Sequence, residues 1–203
     1  MIHERVVVGA FQCNCHILAD DDGEAVIVDP GDDAEAVLQA TKGLRVRYLL
    51  HTHCHLDHIS GTREVKEATG AQIVIHEDDR PLYDKLPGQA KMFGWEVGEP
   101  APIDATFADG DVFRFGRHEL RVLHTPGHTP GSCSFHLGNA LFSGDTLFRR
   151  SIGRTDLWGG NFEQEIASIR SKILGLGPEV VVHPGHGPDT RVSEEKEKNP
   201  FLR

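Results

Sequence analysis

His51-Thr52-His53-Cys54-His55-Leu56-Asp57-His58 follows directly on the apolar run Val46-Arg47-Tyr48-Leu49-Leu50, and packs four histidines and one aspartate into eight residues. Ring nitrogen and carboxylate oxygen are the donors that hold zinc, iron(II) or manganese, and a rigid strand end can aim several of them at one point. A lone histidine in such a place is usually a solvated loop residue. The pattern His-x-His-x-Asp-His is too specific for that reading and points to a metal site.

Spacing adds detail. Side chains alternate along an extended segment, so His53 and His55 face the same way and can share an ion, while Cys54 and Leu56 face the other. Asp57 and His58 are adjacent and would diverge if the strand continued. A turn after His55 lets both converge on a second ion, and leaves Ser60 or Asp57 to cap a helix expected over 61–69. A binuclear centre is therefore expected.

Further donors occur in the same setting. Leu120-Arg121-Val122-Leu123 leads into His124-Thr125-Pro126-Gly127-His128, Ala140-Leu141-Phe142-Ser143 into Gly144-Asp145-Thr146, and Val180-Val181-Val182 into His183-Pro184-Gly185-His186. Each is a β-prone run ending in a glycine-containing loop with a candidate ligand. Three loops of one design, added to the first cluster, argue for one shared site.

These residues carry a family resemblance over nearly the whole chain. The order His53-x-His55-x-Asp57-His58, His128, Asp145, His186 resembles the metal-binding pattern of the metallo-β-lactamase superfamily. Gly144-Asp145-Thr146-Leu147-Phe148 and Gly153-Arg154-Thr155-Asp156 are similar to segments of its glyoxalase II (hydroxyacylglutathione hydrolase-like) group, especially the short bacterial members. The resemblance implies an α/β fold, the four-layer αβ/βα sandwich with mixed sheets. It implies that His53, His55 and His128 hold one divalent ion, that Asp57, His58 and His186 hold another, and that Asp145 bridges them. Zinc is the first expectation, with iron or manganese as alternatives. Asp29, in Val28-Asp29-Pro30-Gly31, resembles an aspartate that steadies the site from behind the ligands.

The implied activity is hydrolysis of a thioester such as S-lactoylglutathione by a metal-bridging hydroxide, with Asp57 and Asp145 as catalytic carboxylates. Arg154 is expected to bind substrate through its bidentate fork, with a structural salt bridge to Asp156 as the alternative. Longer members of the group carry a C-terminal helical domain that helps grip glutathione. Here a single domain over 1–203, without that addition, is expected.

The main rival is a persulfide dioxygenase of the same fold, which uses one iron held by two histidines and an aspartate. The Gly153–Asp156 segment does not separate the two, whereas Pro184-Gly185-His186-Gly187-Pro188-Asp189-Thr190 resembles the hydrolases. A β-lactamase is disfavoured by Gly144–Phe148. A purely structural metal module is disfavoured because structural zinc sites favour a closed set of four ligands.

Composition fits this picture. The 203 residues suffice for a full core, no segment approaches the ~20 apolar residues of a membrane span, and Met1 to Ala10 shows no secretory signal, so a cytoplasmic protein is expected. A formal charge of −10 with scattered lysines and arginines argues against a nucleic-acid partner. A small-molecule thioester is the expected partner, with no membrane association. The four cysteines read as free, buried thiols.

Short strands are expected at 6–8, 16–18, 25–28, 46–50, 73–75, 112–115, 120–123, 132–137, 140–142 and 180–182, and helices at 34–40, 61–69 and 162–174. Asp22-Gly23, Asp109-Gly110-Asp111 and Gly138-Asn139 suit hairpin turns, and Asp20-Asp21-Asp22 a solvated turn. Pro81 to Pro102 reads as a long irregular loop, either a substrate wall or a segment pinned to the core.

Overall fold

Strand β3 (Glu24–Val28) shows how the layers arise. Ala25 and Ile27 pack into one apolar cluster with the helical Val37 and Val65, while Val26 and Val28 pack into a second with Phe115, Leu120 and Phe135. Both faces are covered, which is why Ala25-Val26-Ile27-Val28 is continuously apolar instead of alternating. The computed structural model describes residues 1–203.

The first sheet has the spatial order β1 (Ile2–Val8), β2 (Cys13–Ala19), β3, β4 (Arg45–Leu50), β5 (Gln72–His76) and β6 (Ala105–Phe107). Its first three strands pair antiparallel and the remainder parallel. In the second sheet β7 (Val112–Phe115), β8 (His118–His124), β9 (Cys133–Leu137) and β10 (Ala140–Gly144) are successive neighbours. Beyond β10 lie β13 (Val181–Pro184), paired parallel to it, and β14 (Thr190–Arg191). Strands β11 (Leu147–Phe148) and β12 (Ser151–Ile152) form a separate two-stranded ribbon.

Helices α1 (Ala34–Ala40), α2 (Leu56–Ile59), α3 (Thr62–Thr69), α4 (Arg80–Tyr83) and α5 (Leu86–Met92) bury Val37, Ile59, Val65, Leu82 and Leu86 with the outer face of the first sheet. A third cluster joins Leu141 and Val182 of the second sheet to Ile169 and Ile173, which follow α6 (Phe162–Ser168), and to Val192 of α7 (Val192–Lys198). The result is the expected αβ/βα order of four layers. All four cysteines are free and buried. No helix is long and apolar enough to cross a membrane.

Several local expectations are corrected. The segment after Pro81 is substantially helical: Pro81 and Pro87 stand in the first turns of α4 and α5, where a missing N–H breaks no helical bond. The helix expected over 162–174 becomes π-helical at Ile169–Ile173. Asp109-Gly110-Asp111 makes no hairpin, since it carries the chain from β6 in one sheet to β7 in the other. Helix α3 has Gly61 at its N-cap with no side-chain bond, and Ser60 Oγ donates instead to the Leu56 carbonyl at 2.6 Å. Asp20 is buried, and accepts from the Asp22 N–H at 3.0 Å and from Arg117 Nε at 3.2 Å, so only its two neighbours form the solvated part of that turn.

Candidate metal centre

The loop after β4 runs extended to His55 (φ −71°, ψ 152°) and then turns at once into α2. His53 and His55 therefore leave the chain on one side, and the first turn of α2 swings Asp57 and His58 back beside them, with the His53 and His58 ring centroids 4.0 Å apart. Gly31 permits this turn, because a Cβ there would lie 1.7 Å from the Asp57 carbonyl oxygen. The loops after β8, β10 and β13 bring His128, Asp145 and His186 to the same sheet edge.

Two donor sets result. In one, His128 Nε2 lies 2.9 Å from His55 Nδ1 and 3.2 Å from His53 Nε2. In the other, His186 Nε2 lies 3.2 Å from His58 Nε2 and 3.1 Å from Asp57 Oδ2. Asp145 stands between, with Oδ2 at 3.7 Å from His128 Nε2 and Oδ1 at 3.5 Å from His58 Nε2.

This arrangement fits metal ions. Ligands held at ~2.0–2.1 Å in a tetrahedron are separated by about 3.3 Å, close to the spacings within each set. Asp145 Oδ1 is buried without a hydrogen-bond partner, a costly state for a carboxylate unless a cation meets it. Gly185 keeps the space open, since a Cβ there would lie 2.3 Å from Asp145 Oδ1.

The outward ring nitrogens fix which lone pairs point inward. His128 Nδ1 donates to the Arg154 carbonyl at 2.7 Å, His186 Nδ1 to the Phe11 carbonyl at 3.0 Å, and His58 Nδ1 to Asp29 Oδ2 at 3.0 Å. His53 Nδ1 reaches Thr52 Oγ1 at 3.2 Å, whose own proton goes to Asp29 Oδ2 at 2.6 Å. Each outward bond holds a proton on the outer nitrogen, so that Nε2 is the ring atom offered to a metal. Asp29 also accepts the Thr52 N–H at 2.7 Å, from a left-handed backbone with φ 54°.

Burial and neighbouring histidines hold His53 well below the usual imidazole range, and burial with the same kind of neighbours takes His55 down to about 3, so both are neutral donors at pH 7. Asp57 is held well below the carboxylate range: burial opposes ionisation, but His58 and His186 outweigh it. His51 Nδ1 donates to the His58 carbonyl at 3.2 Å and supports the turn. His124 and His183 lie further off: one binds the Pro130 carbonyl at 2.9 Å, the other sits 3.1 Å from Asp189 Oδ2. Arg154 lines the cavity above the centre, with its fork on Asp156 at 2.8 and 2.9 Å.

Two buried acids escaped the sequence reading. Asp79 accepts from the Cys54 N–H at 2.8 Å, Thr129 Oγ1 at 2.9 Å and the Gly131 N–H at 2.7 Å, tying the first ligand loop to the loop that carries His128. Glu165 accepts the His128 N–H at 2.7 Å, and burial raises its carboxyl to about 9. Neither lies near a ligand in sequence. The acidic turn Glu77-Asp78-Asp79 after β5 carried no ligand spacing to single it out. Truncating Asp79 to alanine strands the buried Cys54 and Gly131 N–H groups at a cost of ~1–3 kcal/mol each and leaves the Thr129 hydroxyl only Ser132 Oγ. The expected result is a loss of about 3 kcal/mol or more in urea unfolding, with weakened metal retention.

A family model for the metallo-β-lactamase superfamily matches residues 8–186. The chain belongs to the metallo-β-lactamase superfamily. Within this superfamily of metal-dependent hydrolases it is 39% identical to hydroxyacylglutathione hydrolase GloC of Haemophilus influenzae, over 98% of this chain and 97% of that one. Among solved structures, the BLEG-1 B3 metallo-β-lactamase superposes with a TM-score of 0.92 at 38% identity, covering 99% of both chains. TTHA1623 in a di-iron-bound form gives 0.89 at 38% identity, covering 98% of this chain and all (100%) of that one. ETHE1 from Myxococcus xanthus gives 0.82 at 29% identity, covering 98% of this chain and 84% of that one.

Proposed function

We propose that the protein hydrolyses thioesters, of which S-lactoylglutathione is an example, at a centre of two divalent ions held by His53, His55 and His128 on one side and Asp57, His58 and His186 on the other. The observation that carries this reading is Asp145, whose two carboxylate oxygens face the two donor sets. Full-length similarity to GloC supports the thioester class.

These residues would hold two divalent ions, which would lower the pKa of water toward ~7 and polarise a carbonyl. The chain supplies the rest. Asp57, ionised at neutral pH and lining the cavity, is placed to orient the attacking water as a hydrogen-bond acceptor. Asp29, Thr52 and the Arg154 and Phe11 carbonyls hold the histidine rings in one orientation, so that little reorganisation is needed at the moment of reaction. The cavity, about 800 Å³, opens on this face of the molecule and is large enough for a small conjugate.

The persulfide dioxygenase reading draws support from the likeness to ETHE1. The second donor set, which a one-iron enzyme does not require, favours the hydrolase.

Histidine must be neutral to bind metal. His58 and His186, which despite burial are raised above the usual imidazole value by neighbouring carboxylates, take up protons before His53 and His55 as the pH falls. A chelator below roughly pH 5 should therefore strip the centre, beginning with the Asp57–His58–His186 set. Thioester cleavage is expected to vanish on stripping and to return with zinc, iron or manganese at neutral pH. The assay runs in parallel against S-lactoylglutathione, a chromogenic cephalosporin, and glutathione persulfide with an oxygen electrode. Cleavage of the thioester alone supports the proposal, and full thioesterase activity in stripped protein, or turnover confined to either other substrate, contradicts it.

A further inference from the structure

The rim of the cavity above the metal centre is apolar where a charged thiol carrier would want cations. Phe11 from the β1–β2 turn, Met92 and Phe93 from the end of α5, and Leu157 and Trp158 from the loop after β12 all line it. They are 40, 80, 54, 37 and 55% exposed, and make up half of the ten large apolar side chains that stand exposed on the whole protein. Three stretches remote in sequence thus bring their solvent-facing apolar groups to one mouth. Uncovered apolar area gathered at a concave site marks a place that something apolar covers.

The rim is also built. The Phe11 ring packs edge-on against Phe93 at 5.1 Å and tilted against Trp95 at 5.2 Å. The Phe11 carbonyl accepts from His186 Nδ1, so the same residue that forms one wall fixes a metal-site histidine.

Charge points the same way. Apart from the metal-site residues, the charged groups that line the cavity are the cations Lys85 and Arg154 and the acids Asp84 and Glu99. The Arg154 fork is taken by Asp156, which leaves Lys85 as the lining cation with no ion pair. One free ammonium is a poor clamp for a carrier with two carboxylates.

Resting on the thioesterase reading, we propose that the substrate carries an extended apolar or aromatic acyl group. This group would lie between Phe11–Phe93 on one side and Leu157–Trp158 on the other, and its burial, more than any charge clamp on the carrier, would supply the affinity.

The test uses the metal-loaded protein and thioethers, which lack the scissile carbonyl and bind without turnover. Dissociation constants are measured calorimetrically for S-methyl, S-propyl and S-hexyl glutathione, and for the matching N-acetylcysteamine series, which has no carboxylate. Burial of each methylene predicts roughly 2–4-fold tighter binding per carbon, in both series. Trp158→Ala and Phe93→Ala should each weaken the S-hexyl ligands by about 10-fold while leaving the S-methyl ligands within about 2-fold. Affinity that is independent of chain length, or variants that hold the S-hexyl ligands as tightly as the wild type, would overturn the proposal. So would wild-type dimers that dissociate in Trp158→Ala with unchanged thioether affinity, because the rim would then belong to a second copy. Chain-length-dependent binding by a protein that cleaves no thioester would retain the apolar subsite and remove the thioesterase reading, so the two failures are distinct.

Discussion

Asp145→Ala leaves a folded protein whose thioester hydrolysis falls by at least ~100-fold. Loss of a group that merely orients a metal ligand costs 10–100-fold in affinity or activity, and Asp145 presents one oxygen to each donor set. The fold should survive because the three apolar clusters are built from the sheets and helices and draw nothing from this side chain. Removal of the carboxylate relieves a buried acceptor that has no hydrogen-bond partner but also takes a negative charge away from His58, so apo-protein stability should change little. Circular dichroism and urea unfolding of the apo-variant check the fold, and thioester kinetics with metal analysis check the site. Near-wild-type turnover at full metal content would remove Asp145 from its bridging place.

His58→Ala and Asp57→Asn act on one half of the centre. His58 is fully buried; burial opposes its charge, but the carboxylates of Asp57, Asp145 and Asp29 around it outweigh burial and raise its pKa above the usual imidazole value. Alanine there removes a donor and leaves Asp29 Oδ2 with only the Thr52 hydroxyl. Asp57→Asn keeps the shape and removes the charge and the basicity. Both variants should retain the His53–His55–His128 set and its ion, while thioester hydrolysis drops by about 100-fold or more. A one-iron dioxygenase resting on His53, His128 and Asp145 predicts the reverse, with persulfide-dependent oxygen uptake little affected by His58→Ala.

Much of the site is legible in the sequence because its ligands end strands. Apolar runs buried on both faces, such as Val26 to Val28 and Leu141-Phe142, announce strands, and the glycine- and histidine-rich loops after them can only lie at a sheet edge. The turn between His55 and Asp57 was readable from the need to bring adjacent side chains to one place. What escaped depends on long-range pairing. Asp79 and Glu165 act on the ligand loops from 25 and 37 residues away in sequence, through backbone N–H groups that no side-chain pattern records. The helices of 80–92 were hidden by Pro81 and Pro87, whose place in a first turn is the signal that could have revealed them. Strands β11, β12 and β14 have two residues each, too few to show any period.

The most direct test of the two-ion hydrolase is the metal content of the native protein, purified without added metal and assayed beside His58→Ala. About two ions per chain in the wild type, about one in the variant, and thioester cleavage lost with the second ion is the result expected. One iron per chain in both proteins, with persulfide-driven oxygen consumption unchanged between them, would contradict it.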